Sequence, residues 1–204
     1  GKPDAGILKK APHRLIDIRD PREAYSAADF RKDVLNEITD IQSKGNTPLL
    51  VGGTMLYFKA LRDGLTAMPA ANEEVRNKIL DMANDESWQA VHNRLAEVDP
   101  ESAARIHPND PQRLQRALEV YELTGKSMTT LHKEGDSNEE LPFDLHFMAI
   151  SPSQREVLHE NIAVRFKQML EEGFVEEVKK LYERGDLHPA LPAIRSVGYR
   201  QIWN

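Results

Sequence analysis

The 204-residue chain has no cysteine, which excludes disulfides and thiolate zinc sites; with no export signal at its start, the expected compartment is the cytoplasm. No run approaches the ~20 apolar residues that a membrane-spanning helix requires, so no membrane partner is expected. Positive charge is not in surplus. Lys and Arg number 27 against 33 Asp and Glu, a net −6, which argues against a surface coated for nucleic acid but leaves room for a local basic groove. The seven histidines show no metal-ligand spacing, so no residue is assigned to a metal. A complete GxxxxGK[ST] loop is absent, and so are internal repeats and low-complexity tracts. What remains, 40% hydrophobic and 29% charged, suits a soluble domain, or a domain with a smaller insert.

The stretch from Leu50 to Leu56 organises the rest. Pro48, Leu49, Leu50 and Val51 form an apolar run without alternation, which reads as a strand buried on both faces. Gly52 and Gly53 then turn the chain, and Thr54 precedes a helical pattern in Met55, Leu56, Phe58, Ala60 and Leu61. A strand, a glycine turn and a helix N-terminus together make an anion site; equally, two glycines simply turn a chain.

Around this stretch, residues 14–20 alternate apolar and charged side chains and read as a strand closed by Pro21. Ser26 opens a helix to about Lys44, with Phe30, Val34, Ile38 and Ile41 on one face. Strand, helix, strand, helix favours a parallel α/β sheet. Residues 65–141 offer no strand, and helices are expected over 73–84, 86–97, 100–106, 111–124 and after Ser127. Asp99 and Asp110, each followed by proline, fit a cap with Pro at the first helical position. The polar stretch 135–140 is expected to be mobile. Residues 144–150 then return to strand, followed by helices over 153–172 and 175–184, the first with Leu158, Ile162, Phe166, Met169 and Leu170 as its buried stripe.

Three places carry candidate chemistry. Arg113 and Arg116, three apart at the start of the 111–124 helix, share a face. They suit phosphates or bases, or form a solvated face with Arg113 paired to an aspartate. Arg195-Ser196-Val197-Gly198-Tyr199-Arg200 flanks a glycine break with two arginines and a tyrosine, a mix that holds phosphates and stacks a base, or is a loop before a helix. Arg165 sits beside Ile162, Phe166 and Met169, either snorkelling or reaching a phosphate held near Gly52 and Gly53.

Taken together, residues 12–17, 25–30, the glycine turn through Tyr57, residues 105–113 and residues 195–199 resemble, in order, the motifs of the bacterial tRNA dimethylallyltransferases. The resemblance covers the whole chain. It implies a P-loop-NTPase-like parallel-sheet core, residues 1–64 and 142–204, carrying an all-helical insert, residues 65–141, that binds the tRNA anticodon stem-loop. The implied reaction moves a dimethylallyl group from dimethylallyl diphosphate to N6 of the adenosine 3′ to the anticodon, in tRNAs reading U-initial codons. By the same resemblance Gly52, Gly53 and Thr54 line the substrate channel, and Thr54 and Arg165 take part in catalysis, Arg165 on the departing diphosphate. Gln112, Arg113, Leu114, Gln115 and Arg116 meet tRNA from the insert, and Arg195 through Arg200 meet it from the core. Mg2+ is the implied cofactor, and a monomer is expected. The family's diphosphate loop, its general-base aspartate and its closing C-terminal helices have no counterpart in these residues. The expectation is therefore a fragment inactive by itself. The alternatives are a tRNA anticodon-arm binding module without chemistry, or a small-molecule kinase relative.

Overall fold

A computed structural model describes residues 5–135 and 141–203; the stretch from Asp136 to Glu140, expected above to be mobile, lies outside the described residues. The chain divides into two compact units, Gly1–Arg62 with Pro142–Asn204, and Asp63–Leu141.

In the second unit five helices enclose one core: α4 (Glu73–Asp85), α5 (Trp88–Val98), α6 (Pro100–Arg105), α7 (Pro111–Thr124) and α8 (Met128–Glu134). Each begins at a short polar residue whose side chain accepts a backbone N–H three positions on: Asn72 from Val75, Ser87 from Ala90, Asp99 from Ser102, Asp110 from Arg113 and Ser127 from Thr130. These caps satisfy N–H groups that a helix cannot pair internally. Pro100 and Pro111 occupy first-turn positions, where the missing N–H costs nothing. α7 ends at Gly125 with φ +68°, the left-handed stop that a side chain would resist. The helical stripes meet in Ile79, Ala83, Val91, Leu95, Ala103, Leu114, Ala117 and Leu118. Fully burying each large member contributes ~1.5–3 kcal/mol.

The first unit contains α1 (Ala5–Lys10), α2 (Ala27–Ser43), α3 (Met55–Asp63, ending at the unit boundary), α9 (Arg155–Glu171), α10 (Phe174–Glu183) and α11 (Tyr199–Trp203). Ser26 and Asp29 cap α2 reciprocally: Ser26 Oγ accepts from Asp29 N at 3.1 Å and Asp29 Oδ2 accepts from Ser26 N at 3.0 Å. Tyr57 of α3 stacks on Phe30 of α2 at 4.4 Å and donates to Tyr25 O at 3.2 Å. α10 buries Phe174 and Val178, and α11 folds onto it through the Phe174–Tyr199 and Tyr182–Trp203 ring pairs, both 5.2 Å.

The parallel-sheet core expected from the sequence is not present: among the described residues there is no strand. Alternation and apolar runs state a capacity to pair, but a strand exists only through a ladder with a neighbour. Residues 14–20 are bent, with Leu15 and Asp17 at φ +58° and +55°, a left-handed backbone that interrupts extension. Arg14 is anchored instead to Glu37 and Asp40 of α2, at 3.0 and 3.1 Å. Residues 48–51 and 144–150 are unpaired, with Val51, Met148 and Ile150 at 87, 84 and 100% exposure. The buried stripe expected on α9 is also corrected. That helix buries no residue, and Leu158, Ile162, Phe166 and Leu170 are all exposed. Leu158, Ile162 and Phe166 recur four apart, but no surface among the described residues covers them.

Candidate functional site

In the first unit the glycine turn delivers Thr54 to the start of α3, where its carbonyl accepts from Tyr57 N at 2.9 Å. Gly52, Gly53 and Thr54 are exposed, and so is Arg165 on the flank of α9. No described hydrogen bond or ion pair joins Arg165 to the turn. α3 is tied to residues 144–150 by Phe58 and Phe147, ring centroids 6.4 Å apart, with the Arg62 guanidinium 5.9 Å from the Phe147 centroid.

The 195–200 loop is held from beneath. Gly198 adopts φ +96°, and a Cβ there would lie 3.0 Å from the Phe174 ring, so glycine is required for both backbone and space. Its N–H donates to Gln201 Oε1 at 2.7 Å. Tyr199 donates its hydroxyl to Glu177 Oε1; burial, reinforced by the Glu177 carboxylate, pushes the phenol up to about 12. Arg195, Ser196, Val197 and Arg200 are exposed. A cavity of about 590 Å³ lies against the loop, lined by Ser196, Tyr199, Ile194, Glu177, Lys180 and Arg184 among others. Nearby, Arg184 bridges Asp20 and Asp186 at 3.0 and 2.9 Å. The Arg22 backbone N–H, then Arg184, hold Asp20 well below the usual carboxylate range.

In the helical unit the five candidate residues of α7 separate by depth. Gln112 and Arg113 are exposed; Arg113 pairs with Asp110 at 3.3 Å and its side chain is 73% exposed. Leu114 is fully buried in the core, so it acts only by placing its neighbours. Gln115 donates to Arg76 O at 3.1 Å. Arg116 donates to Glu119 Oε2 at 2.7 Å and to Pro69 O at 2.8 Å.

Glu119, which sequence reasoning did not single out, is the hub. Its carboxylate is fully buried and accepts from Asn72 N and Arg76 Nε, both at 2.8 Å, and from Arg116. Burial pushes its pKa up, but hydrogen bonds from Arg76, Asn72 and Arg116 outweigh that and hold it below the ordinary value. A second buried centre is Asp99, which accepts from Ser102 N, Thr129 N and Thr129 Oγ1 at 2.7–3.0 Å. There too the hydrogen bonds overcome burial and lower the pKa. A glutamate one helical turn after Arg116 was the only sequence clue to the first network; nothing local revealed the second.

Among the described residues no three His, Asp or Glu converge to hold a metal ion. No chemical step is derived through the Mg2+ that the resemblance implies. No helix is long and apolar enough to cross a membrane, again among the described residues.

The family model for IPP transferase matches residues 1–204, and the chain belongs to that family. It is similar to the tRNA isopentenylpyrophosphate transferase of Bacillus halodurans, at 36% identity over 99% of this chain and 61% of that one, TM-score 0.59. The tRNA delta(2)-isopentenylpyrophosphate transferase of Staphylococcus epidermidis matches at 30% identity over 98% of this chain and 64% of that one, TM-score 0.56. A eukaryotic dimethylallyltransferase acting on tRNA matches at 30% identity over 90% of this chain and 45% of that one, TM-score 0.65. The chain thus spans less than two thirds of each relative's length.

Proposed function

We propose that this chain is part of an enzyme that transfers a dimethylallyl group from dimethylallyl diphosphate to N6 of the adenosine 3′ to a tRNA anticodon. The observation that carries the reading is the IPP-transferase match over all 204 residues. In the step, the allylic C–O bond breaks, a C–N bond forms to the exocyclic amine, diphosphate leaves and the amine loses a proton. Arg165 stabilises the charge on the departing diphosphate, and Gly52, Gly53 and Thr54 line the approach to it. Gln112, Arg113 and Arg116, with Arg195 to Arg200, hold the RNA so that the unstacked adenine meets the allylic carbon. Leu114 and Gln115 act from behind by fixing the face that carries the arginines.

The 204 residues alone are proposed to be inactive. Thr54 and Arg165 stand exposed to water, where charge stabilisation is weakest and a reactive allylic centre is open to hydrolysis. The test is incorporation of labelled dimethylallyl diphosphate into an anticodon stem-loop RNA, by this chain and by one extended to its relatives' full length. Label with the extended chain only is expected. No label with either, while RNA is still bound, would replace the enzyme by a tRNA-binding module.

A further inference from the structure

Resting on the reading that RNA is the partner, we propose that the groove between α6, α7 and α8 is a binding site for phosphates of the RNA backbone, with Arg105 as its principal cation. The groove, about 360 Å³, is lined by Arg105, Arg113 and Arg116 together with Ser102, Met128 and His132. Three guanidinium groups in one concavity repel one another unless anions intervene, and the three are differently compensated. Arg116 is paired with Glu119, which it shares with Arg76, and Arg113 has the surface partner Asp110. Among the described residues Arg105 meets only neutral oxygens: its Nε donates to Glu101 O and its Nη2 to Ser102 Oγ, both at 3.3 Å. An exposed guanidinium in a groove where no described carboxylate pairs with it can fork two hydrogen bonds to a phosphate.

The groove is also built to keep its shape. Its floor residue Ser102 is fully buried and meets Thr129 Oγ1 at 3.1 Å, and Thr129 in turn donates to the buried Asp99. Arg116 is fixed by two bonds of 2.7 and 2.8 Å. Little side-chain entropy remains to be lost when a phosphate enters. The Arg113–Asp110 pair is weak enough at its exposure for a phosphate to displace.

The test measures binding of a labelled RNA hairpin to the full chain by fluorescence anisotropy across a KCl series, with Arg105→Gln and Arg105→Lys. Circular dichroism confirms that both variants fold. Arg105→Gln is expected to weaken binding about tenfold and to flatten the slope of log K against log salt by about 0.7–0.9, one phosphate contact. Arg105→Lys is expected to keep the slope and lose part of the affinity. A second arm follows displacement of the hairpin by inorganic phosphate at constant ionic strength. Wild-type affinity and slope in Arg105→Gln overturn the site, and if Arg195→Gln and Arg200→Gln still weaken the hairpin, the RNA reading survives. No hairpin bound by the unaltered chain overturns both. Weaker phosphate binding with unchanged hairpin binding in Arg105→Gln leaves a small-anion site and overturns the RNA assignment.

Discussion

Replacing Glu119 with Gln is the sharpest test of what holds the helical unit together. The oxygen at Oε1 survives the change and keeps Asn72 N and Arg76 Nε, both at 2.8 Å. Oε2 becomes an NH2 donor pointed at Arg116 Nη1 and Arg76 Nη2, which now stand 2.7 and 3.2 Å away as donors themselves. Two charge-assisted bonds are lost and two cations lose their counter-ion. Removing one partner of a buried ion pair costs about 3–5 kcal/mol. Arg76 and Arg116 are 41 and 31% exposed, so water recovers part of the loss and the expected cost is about 3 kcal/mol. Trp88 lies in this unit and Trp203 in the other, so a Trp203→Phe background makes tryptophan fluorescence report the helical unit. With an m value of about 1–1.5 kcal/mol/M, the urea midpoint is expected to fall by about 2–3 M. In the Glu119→Gln background, Arg116→Met is expected to cost less than it does alone, by about 1 kcal/mol or more. A midpoint shift below about 0.5 M would show that the network behaves as a surface pair and refute the reasoning.

The same carboxylate sets a pH dependence. Its native pKa lies below the ordinary 4.5, so as pH falls the unfolded chain takes up the proton first. Glu119 therefore contributes stability that is fully present above about pH 4.5 and is lost as pH falls through its native value. Asp99, lowered from 3.8, acts in the same direction. Glu119→Gln is expected to flatten the acid limb of the stability profile while leaving the Asp99 part.

Tyr25 and Tyr199 both titrate near 12 in the native state instead of 10; the unfolded chain loses those protons first as pH rises, so stability should fall from about pH 10 toward pH 12, less steeply in Tyr199→Phe, as followed by urea midpoints. Gly198→Ala places a side chain at φ +96° and 3.0 Å from Phe174; a loss of about 1–3 kcal/mol in the first unit is expected, and thermal denaturation showing none would mean the loop yields freely. Ser26→Ala removes one half of the capping box and should cost about 1 kcal/mol by the same measurement. The exposure of Val51, Met148 and Ile150 predicts strong binding of the dye ANS by the folded chain, reduced in Met148→Ser with Ile150→Thr; unchanged fluorescence would place the dye elsewhere.

Helices were legible because their determinants are local. Asp110-Pro111 at one end and Gly125 at the other bound α7 without reference to anything distant, and Ser26 with Asp29 does the same for the start of α2. The six-residue α1, which buries no residue, was not among the expected helices. Strands were over-read for the converse reason. Leu49, Leu50 and Val51 have the composition of a buried strand, but whether they become one is decided by a neighbouring chain, about which a linear pattern says nothing. The stripe on α9 fails in the same way: spacing puts Leu158, Ile162 and Phe166 on one face, and only tertiary contact decides whether that face is covered.

The arginines show how far spacing carries a site. Arg113 and Arg116 do line one groove, as a three-residue separation on a helix requires. Their chemistry nevertheless differs, because Asp110 meets one at the surface while the buried Glu119 fixes the other. Arg105 lies in the adjacent helix and opens the 105–113 stretch, but nothing local shows how its charge is compensated. What marks it is that the fold brings it beside two other guanidinium groups and gives it only neutral oxygens. Charge compensation is a property of the folded surface, so two residues of equal rank in the sequence become a structural strut and a binding group according to which carboxylates the fold leaves within reach. For that reason Arg76→Gln is expected to cost stability through Glu119, whereas Arg105→Gln, which breaks no ion pair among the described residues, is expected to leave the unfolding free energy from urea denaturation within about 0.5 kcal/mol of wild type.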